Sequence, residues 1–488
     1  MRILKWTAGL LVVSSYATLA MAQSPVQTAF NYYADEEEAV APEADAEAAQ
    51  EESQEDEAVA ESTGDCASGC ESEEPSCDCE EPSCEAGDSC CEEAACGDEV
   101  ACGDECGDAC GGNGDLCSGW SMCNCCPGDP WLLQSYLQPC CDKSITYAGW
   151  MQMGYHTDNT GLSRARGDLL DTNDVPDDVN LQQLWFYTEK ATEADACSAD
   201  WGYRFDMLYG TDAQKTQAFG NTGAGTAGGP EGWDNGWDHG VYGWAMPQAY
   251  AEVAFGDWKV KAGHFYTPMG YEVFPATGNF FYSHALTFFN SEPFTHTGVL
   301  GTYSGIENYT IYSGWALGWD TGFDQFENGN IFIGGFTRSW CDGDLTFTYL
   351  TCTGNFGFRS GDEFGYSHSM TSVATLSEKT TYVIQSDLVA ADGLFGDDDT
   401  DNFDVGVNQY LFYTINDCYK LGGRFEWWKT DQLGESTSFF EITGGINYRP
   451  HANVVIRPEI RYDFVADEDV VDEDYDRDIF GVDAIFTF

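Results

Sequence analysis

Three observations predict an all-β fold, a transmembrane antiparallel up-and-down β-barrel of about sixteen strands preceded by a disordered acidic Cys-rich segment. From Lys143 onward the chain reads as sixteen runs with period-two patterning, each near the ten or so residues that a tilted strand needs to cross a bilayer. The connections between these runs alternate between short turns and longer polar or Gly-rich loops. Within single runs, one face is apolar and the other carries charge. A strand with one face against lipid and one against water demands that pattern, whereas a water-soluble sandwich has no reason to keep its short turns on one side.

The elements follow in order. MRILKWTAGLLVVSSYATLAMAQ places Arg2 and Lys5 before an apolar stretch and Ala20-Met21-Ala22, so residues 1–22 are read as a secretory signal cleaved before Gln23. Residues 23–65 are an acidic linker with almost no large apolar side chain in stretches such as DEEEAVAPEADAEAAQEESQEDEAVAESTGD, and no Lys or Arg occurs between Gln23 and Asp142. Such a segment cannot bury enough surface to offset its ordering entropy, so it is expected to be disordered. Residues 66–142 hold most of the 21 cysteines, in units such as ACGDE. For an exported chain, disulfides are the default reading, within the segment or to neighbours in the envelope. Thiolates beside carboxylates also suit soft cations, but with no His and no separated CxxC pair there is no closed zinc site. WLLQSYLQ at 131–138 reads as a short amphipathic turn leading into the barrel at 143–488.

No other stretch is continuously apolar for a helical span, and the mean hydropathy is -0.35. Aromatic content of 15% with 54 Gly and only 20 Lys plus Arg suits a barrel with interface girdles and tight turns. The short turns are Gly256-Asp257, SGIE, CDGD, SEK, Asn416-Asp417 and Pro450-His451. The longer connections span 155–178, 212–245, 268–294, 317–329, 354–367, 391–401, 431–437 and 466–476. In Asn453 to Val465, apolar Val454, Ile456, Ile460, Tyr462 and Phe464 alternate with Arg457, Glu459, Arg461 and Asp463. The closing run FGVDAIFTF reads as the last strand, its final aromatic carrying the carboxylate.

The block GHFYTPMGYEVFPATGNFFYSHALTFFNSEPFTHTGVLGTYS, followed by WALGWDTGFD, resembles the β-barrel porin-2 (OmpL-like) family of outer-membrane proteins. The residues that carry the resemblance are Gly263, Phe265, Thr267, Pro268, Gly270, Glu272, Asn279, Tyr282, Ser283, Thr295 to Gly298 and Gly318 to Asp320. The likeness covers about residues 143–488. It implies an outer-membrane barrel, and it says nothing of the acidic Cys-rich segment. A terminal strand ending in Phe is similar to the last strand of outer-membrane proteins.

The long connection at 268–294 carries Phe274, Phe280, Phe281, Tyr282, Phe288 and Phe289 with Glu272 and Glu292, and it is expected to fold into the pore as a constriction loop. The bland alternative is a rim loop that packs its aromatics on the barrel mouth or on a neighbouring subunit. Opposite it, the row Lys420, Arg424, Arg449, Arg457 and Arg461, with Glu426, Glu441, Glu459 and Asp463, is expected to line the pore, either setting selectivity or forming internal ion pairs. Lys259 and Lys261 belong in the lumen on the same grounds. The acidic loops 392–404 and 467–478 lack the Gly-bearing spacing of a calcium loop and read as solvated. No nucleophile elbow, P-loop, HExxH or paired acid/base carboxylates occur, and basic clusters for nucleic acid are absent. The expected function is passive diffusion of small hydrophilic solutes or ions through the outer membrane, with no metal or cofactor. The partners are lipid, solute, two further copies in a homotrimer and intermolecular disulfides through the N-terminal segment in the periplasm. The alternative is a plugged barrel that anchors that segment as an envelope structural protein.

Overall fold

The computed structural model describes residues 127–137 and 144–488, apart from loop stretches at 164–165, 167–170, 194–197, 219–232, 235, 326–327, 358–360, 393–400, 432–435 and 467–474. The signal at 1–22, the linker at 23–65 and nearly all of 66–142 lie outside the described residues, as does the greater part of the acidic loops 392–404 and 467–478.

Sixteen long strands form one closed sheet: β1 Thr146–His156, β2 Asn180–Lys190, β3 Ala199–Gly210, β4 Tyr242–Phe255, β5 Trp258–Tyr266, β6 Thr295–Ile306, β7 Tyr309–Ala316, β8 Asn330–Trp340, β9 Leu345–Gly357, β10 Gly361–Ser377, β11 Thr380–Asp392, β12 Asp401–Asn416, β13 Tyr419–Thr430, β14 Thr437–His451, β15 Val454–Val465 and β16 Arg477–Thr487. A two-residue strand, Asp238–His239, adds to the edge of β4. The barrel closes where β1 pairs antiparallel with β16, Trp150 opposite Thr487 and His156 opposite Gly481. Phe488 completes the seam by exchanging two backbone hydrogen bonds with Gly149, at 2.9 and 3.0 Å. Closure leaves no unpaired sheet edge, the condition for a sheet to cross hydrocarbon. Among the described residues no helix is long and apolar enough to cross a membrane.

All sixteen predicted runs are strands. One predicted loop is not: in place of a connection over 354–367, β9 continues to Gly357 and β10 begins at Gly361, with Asn355 opposite Phe364. Glycine-rich GNFGFRSG reads as loop, yet Gly354 is needed in the strand. Its φ is +135°, and a Cβ there would lie 2.2 Å from the Asn330 carbonyl oxygen. The other long connections stay on one end of the barrel and the short turns on the other.

Alternation sorts the two faces. Phe425, Ile442, Ile446, Ile460 and Tyr462 are exposed on the outside, whereas Arg424, Glu426, Glu441, Arg457 and Arg461 point inward and are almost wholly buried. Aromatic pairs ring both ends of the outer face: Trp258 with Tyr303 near the short turns, 4.6 Å between centroids, and Tyr209 with Trp244 near the long loops, 4.8 Å apart. Such girdles sit at the headgroup level of a bilayer.

Before β1, the helix α1 (Leu133–Leu137) realises the predicted turn at the junction. Trp131 N donates to Asn453 Oδ1 at 3.0 Å and Asn453 Nδ2 returns a bond to Trp131 O at 2.9 Å, so this segment is pinned to the 452–453 turn. Among the described residues, two further α-helices occur in loops, α2 (Ala213–Thr216) and α3 (Leu286–Asn290).

Candidate functional site

The connection between β5 and β6, residues 267–294, runs inside the barrel. Local sequence makes its path. Gly270 has φ +89°, and a Cβ there would meet Glu292 Oε2 at 1.9 Å, so only glycine lets the two ends of the loop close on each other. Asn279 Oδ1 accepts from Val273 N at 2.9 Å while its Nδ2 donates to the Val273 and Pro275 carbonyls, holding the 3₁₀ turn Ala276–Gly278. Gln385 on β11 clamps the base: its Oε1 accepts from Tyr271 N at 2.8 Å, and its Nε2 donates to Glu292 and to Asp387 Oδ2. At the loop's end, Asp320 Oδ1 accepts from Phe294 N and Thr295 N, at 2.6 and 2.9 Å.

The predicted charged row meets this loop directly rather than across a passage. Arg424 on β13 donates from Nη1 to Glu272 Oε1 at 2.7 Å and to Ser283 O at 2.8 Å, and from Nε to Glu441 Oε2 at 2.8 Å. Glu426 accepts from the backbone N–H of Leu286 and Thr287 at the start of α3, and from Thr287 Oγ1 at 2.8 Å. Glu459 on β15 accepts from Tyr282 N and Ser283 N, at 2.8 and 3.0 Å. Arg457 donates to the carbonyls of Ala276 and Asn279, at 3.0 and 2.7 Å, and pairs with Asp483 of β16 at 2.5 Å. Arg461 bonds His284 O and pairs with Asp463 at 2.7 Å. These contacts satisfy loop carbonyls and amides that no β-ladder reaches, which is what permits irregular backbone at membrane depth. Lys420 and Arg449 are the remaining basic residues of the row. Both are half-buried near the short turns, and Arg449 Nη2 donates to Ala452 O at 3.0 Å.

Electrostatics divide the two loop acids. Burial pushes the Glu272 carboxyl up, but the Arg424 guanidinium and the His284 ring, whose Nδ1 lies 3.0 Å from Glu272 Oε2, outweigh that and bring it to about 2. Glu292 instead accepts from the neutral Gln385 amide. Burial and then the Asp387 carboxylate push it well above its ordinary value.

The aromatics pack as a core within the barrel. Phe274, Phe280, Phe281, Tyr282 and Phe288 are each no more than 5% exposed, and Phe289 is half-buried. Phe274 and Phe288 join Trp150, Trp185 and Leu208 of the β1–β3 wall, while Phe280 and Phe281 meet Val383, Tyr410 and Phe412 of β11 and β12. Sequence reasoning assigned no role to Ser283, Asp320 or Gln385. Ser283 and Asp320 were visible only as members of the motif block.

Residues 144–488 match the family described as "Putative beta-barrel porin-2, OmpL-like". The chain belongs to this porin family. Its motif block is the loop's docking machinery: Gly270, Glu272, Asn279, Ser283 and Asp320 each make a contact described above. As an outer-membrane barrel of the porin-2 family, it is similar in fold to solved structures of other outer-membrane proteins. A loop L8 deletion mutant of OmpT from Vibrio cholerae is 10% identical, with TM-score 0.47, over 70% of this chain and 99% of that one. The outer membrane channel DcaP of Acinetobacter baumannii is 11% identical, with TM-score 0.47, over 70% and 97%. A mutant of the porin of Rh. blastica is 13% identical, with TM-score 0.43, over 70% and 100%. No curated protein matches the sequence significantly.

Proposed function

We propose that the protein is a passive diffusion pore for small hydrophilic solutes or ions, with the loop 267–294 as its constriction. The observation that carries this reading is the loop's place inside the barrel, fixed by buried charge pairs such as Glu272 with Arg424 at 2.7 Å. Passage down a gradient needs orientation and width but no chemistry, so the inward charges serve to hold the loop and to set the field in the lumen. The N-terminal segment is assigned to the periplasm with the short turns, and its cysteines to disulfides. Cys418, on the short turn before β13, is disulfide-bonded. A homotrimer is proposed as the assembly.

A second reading, a closed barrel that anchors the Cys-rich segment, draws on the near-complete burial of the loop aromatics. Liposome swelling separates the two. Vesicles holding the full-length protein should admit a small sugar and exclude a large dextran; exclusion of both would favour the anchor.

A further inference from the structure

Between the constriction loop and the β9–β10 wall lies a cavity of about 90 Å³, lined on the loop side by Phe274, Phe288 and Phe294 and on the wall side by Thr348 and Thr371. Tyr266, at the end of β5, closes one flank and lies nearly parallel to Phe274, with 12° between the rings. The three phenyl rings form an open fan: Phe274 meets Phe294 edge-on at 5.3 Å and 63°, and Phe288 lies 4.9 Å from Phe294. Thr348 Oγ1 is shared with Thr337 Oγ1 at 3.0 Å, and the Thr371 hydroxyl is the second polar group on that wall. Glu272 borders the space, but Arg424 and His284 hold its carboxylate, so the cavity presents no uncompensated charge. Half-buried Thr267, Pro268 and Gly270 line the same cavity, so it is not sealed.

We propose that this cavity is a binding site for one planar aromatic ring of a small neutral solute, on the path past the constriction loop. The inference rests on the diffusion-pore reading and deepens it: discrimination at the narrow point comes from aromatic faces and a hydroxyl rather than from the charged row. That row is committed to the loop through Arg424, Glu426, Glu459 and Arg457. Size and chemistry select the ligand. An enclosed apolar cavity of about 150 Å³ holds a benzene molecule; this one is smaller but open beside Thr267, Pro268 and Gly270, so a single ring enters it in part, edge-first between the phenyl faces. Aromatic walls prefer an aromatic ring in offset or edge-on contact over an aliphatic ring of equal area. With no exposed cation or anion in the lining, a charged head is not stabilised inside. Pure hydrocarbon gains nothing from Thr371, whereas a ring bearing a hydroxymethyl group can donate to or accept from it.

The test uses full-length protein in detergent with 4-fluorobenzyl alcohol, read by fluorine NMR, and in parallel by current through planar bilayers with benzyl alcohol added. Saturable broadening of the fluorine line is expected for the native protein. It should vanish in Thr371→Phe, whose ring fills the cavity, and binding should weaken several-fold in Phe294→Leu. Cyclohexylmethanol should block current about two to ten times more weakly than benzyl alcohol, the difference that ring-ring contacts make. Heat-modifiable electrophoretic mobility checks that each variant keeps its barrel. Equal broadening in the native protein and in folded Thr371→Phe would mean partition into detergent only, and would overturn the proposal. A conducting channel with no saturable binding would overturn the cavity while leaving the pore. Binding in an electrically silent barrel would leave the cavity and overturn the pore.

Discussion

Replacing Arg424 by Met keeps most of the side chain's volume but removes the guanidinium from between two carboxylates. The structure sets the size of the loss. Arg424 is buried and pairs with Glu441 at 2.8 Å and with Glu272 at 2.7 Å, and it also bonds the carbonyl and hydroxyl of Ser283. Removing one partner of a buried ion pair costs about 3 to 5 kcal/mol, because the remaining charge is left uncompensated. Glu441 lies on the barrel wall and Glu272 on the loop, so the barrel can stay closed while the loop lets go. Its docked-to-undocked ratio should then fall by a factor of roughly a hundred to a few thousand, at 1.4 kcal/mol per tenfold. Single-channel recordings should show larger conductance with frequent excursions between levels, in a protein whose heat-modifiable mobility is unchanged. A variant with native mobility and a native, quiet conductance would refute the idea that this pair holds the constriction.

Loop docking should also respond to pH in two limbs. Glu272 is held near 2, below its ordinary 4.5, so its contribution is present above 4.5 and is lost as pH falls toward 2. Glu292 is raised well above 4.5 and faces Asp387, Glu272 and Glu426, so its contribution is complete below 4.5 and is lost as pH climbs through the raised value. Current noise against pH should rise on both sides, and Glu292→Gln should reduce the alkaline limb while leaving the acid limb as it is; an alkaline limb of native size in that variant would count against the assignment. Gly270→Ala adds a Cβ that meets Glu292 Oε2 at 1.9 Å and forces Ala to φ +89°, a cost of at least about 1 kcal/mol. It should loosen the loop, seen as faster proteolysis within 267–294 in the folded protein. On the outer face, Ile460 is 64% exposed midway along β15, and Ile460→Arg should lower stability in lipid by about 2 to 4 kcal/mol in urea titrations. No change would mean that this position does not face hydrocarbon.

Period-two alternation made every strand of the barrel legible, because lipid outside and polar groups inside leave opposite chemistry on adjacent residues. Asn453 to Val465 shows it best: Ile460 and Tyr462 point out, Arg457, Arg461 and Asp463 point in. The same reasoning failed at 354–367, where glycine is required by close strand approach at Gly354 and not by a turn. Aromatic content singled out the loop at 268–294, but its partners were hidden. Arg424 lies 152 positions from Glu272, and Glu459 lies 177 from Tyr282, so no local pattern joins them. A charged row that alternates with apolar residues looks the same whether it faces water or a docked loop. Asp320 and Gln385 are single polar residues that cap backbone groups, and that task leaves no periodic trace.

The central claim is that solute passes beside the docked loop. Conductance of the full-length protein in planar bilayers, under a salt gradient, tests it most directly. Stable stepwise channels with a defined reversal potential are the predicted result. A barrel that folds and inserts, shown by heat-modifiable mobility and protease protection in the same membranes, yet stays silent at every voltage would contradict it.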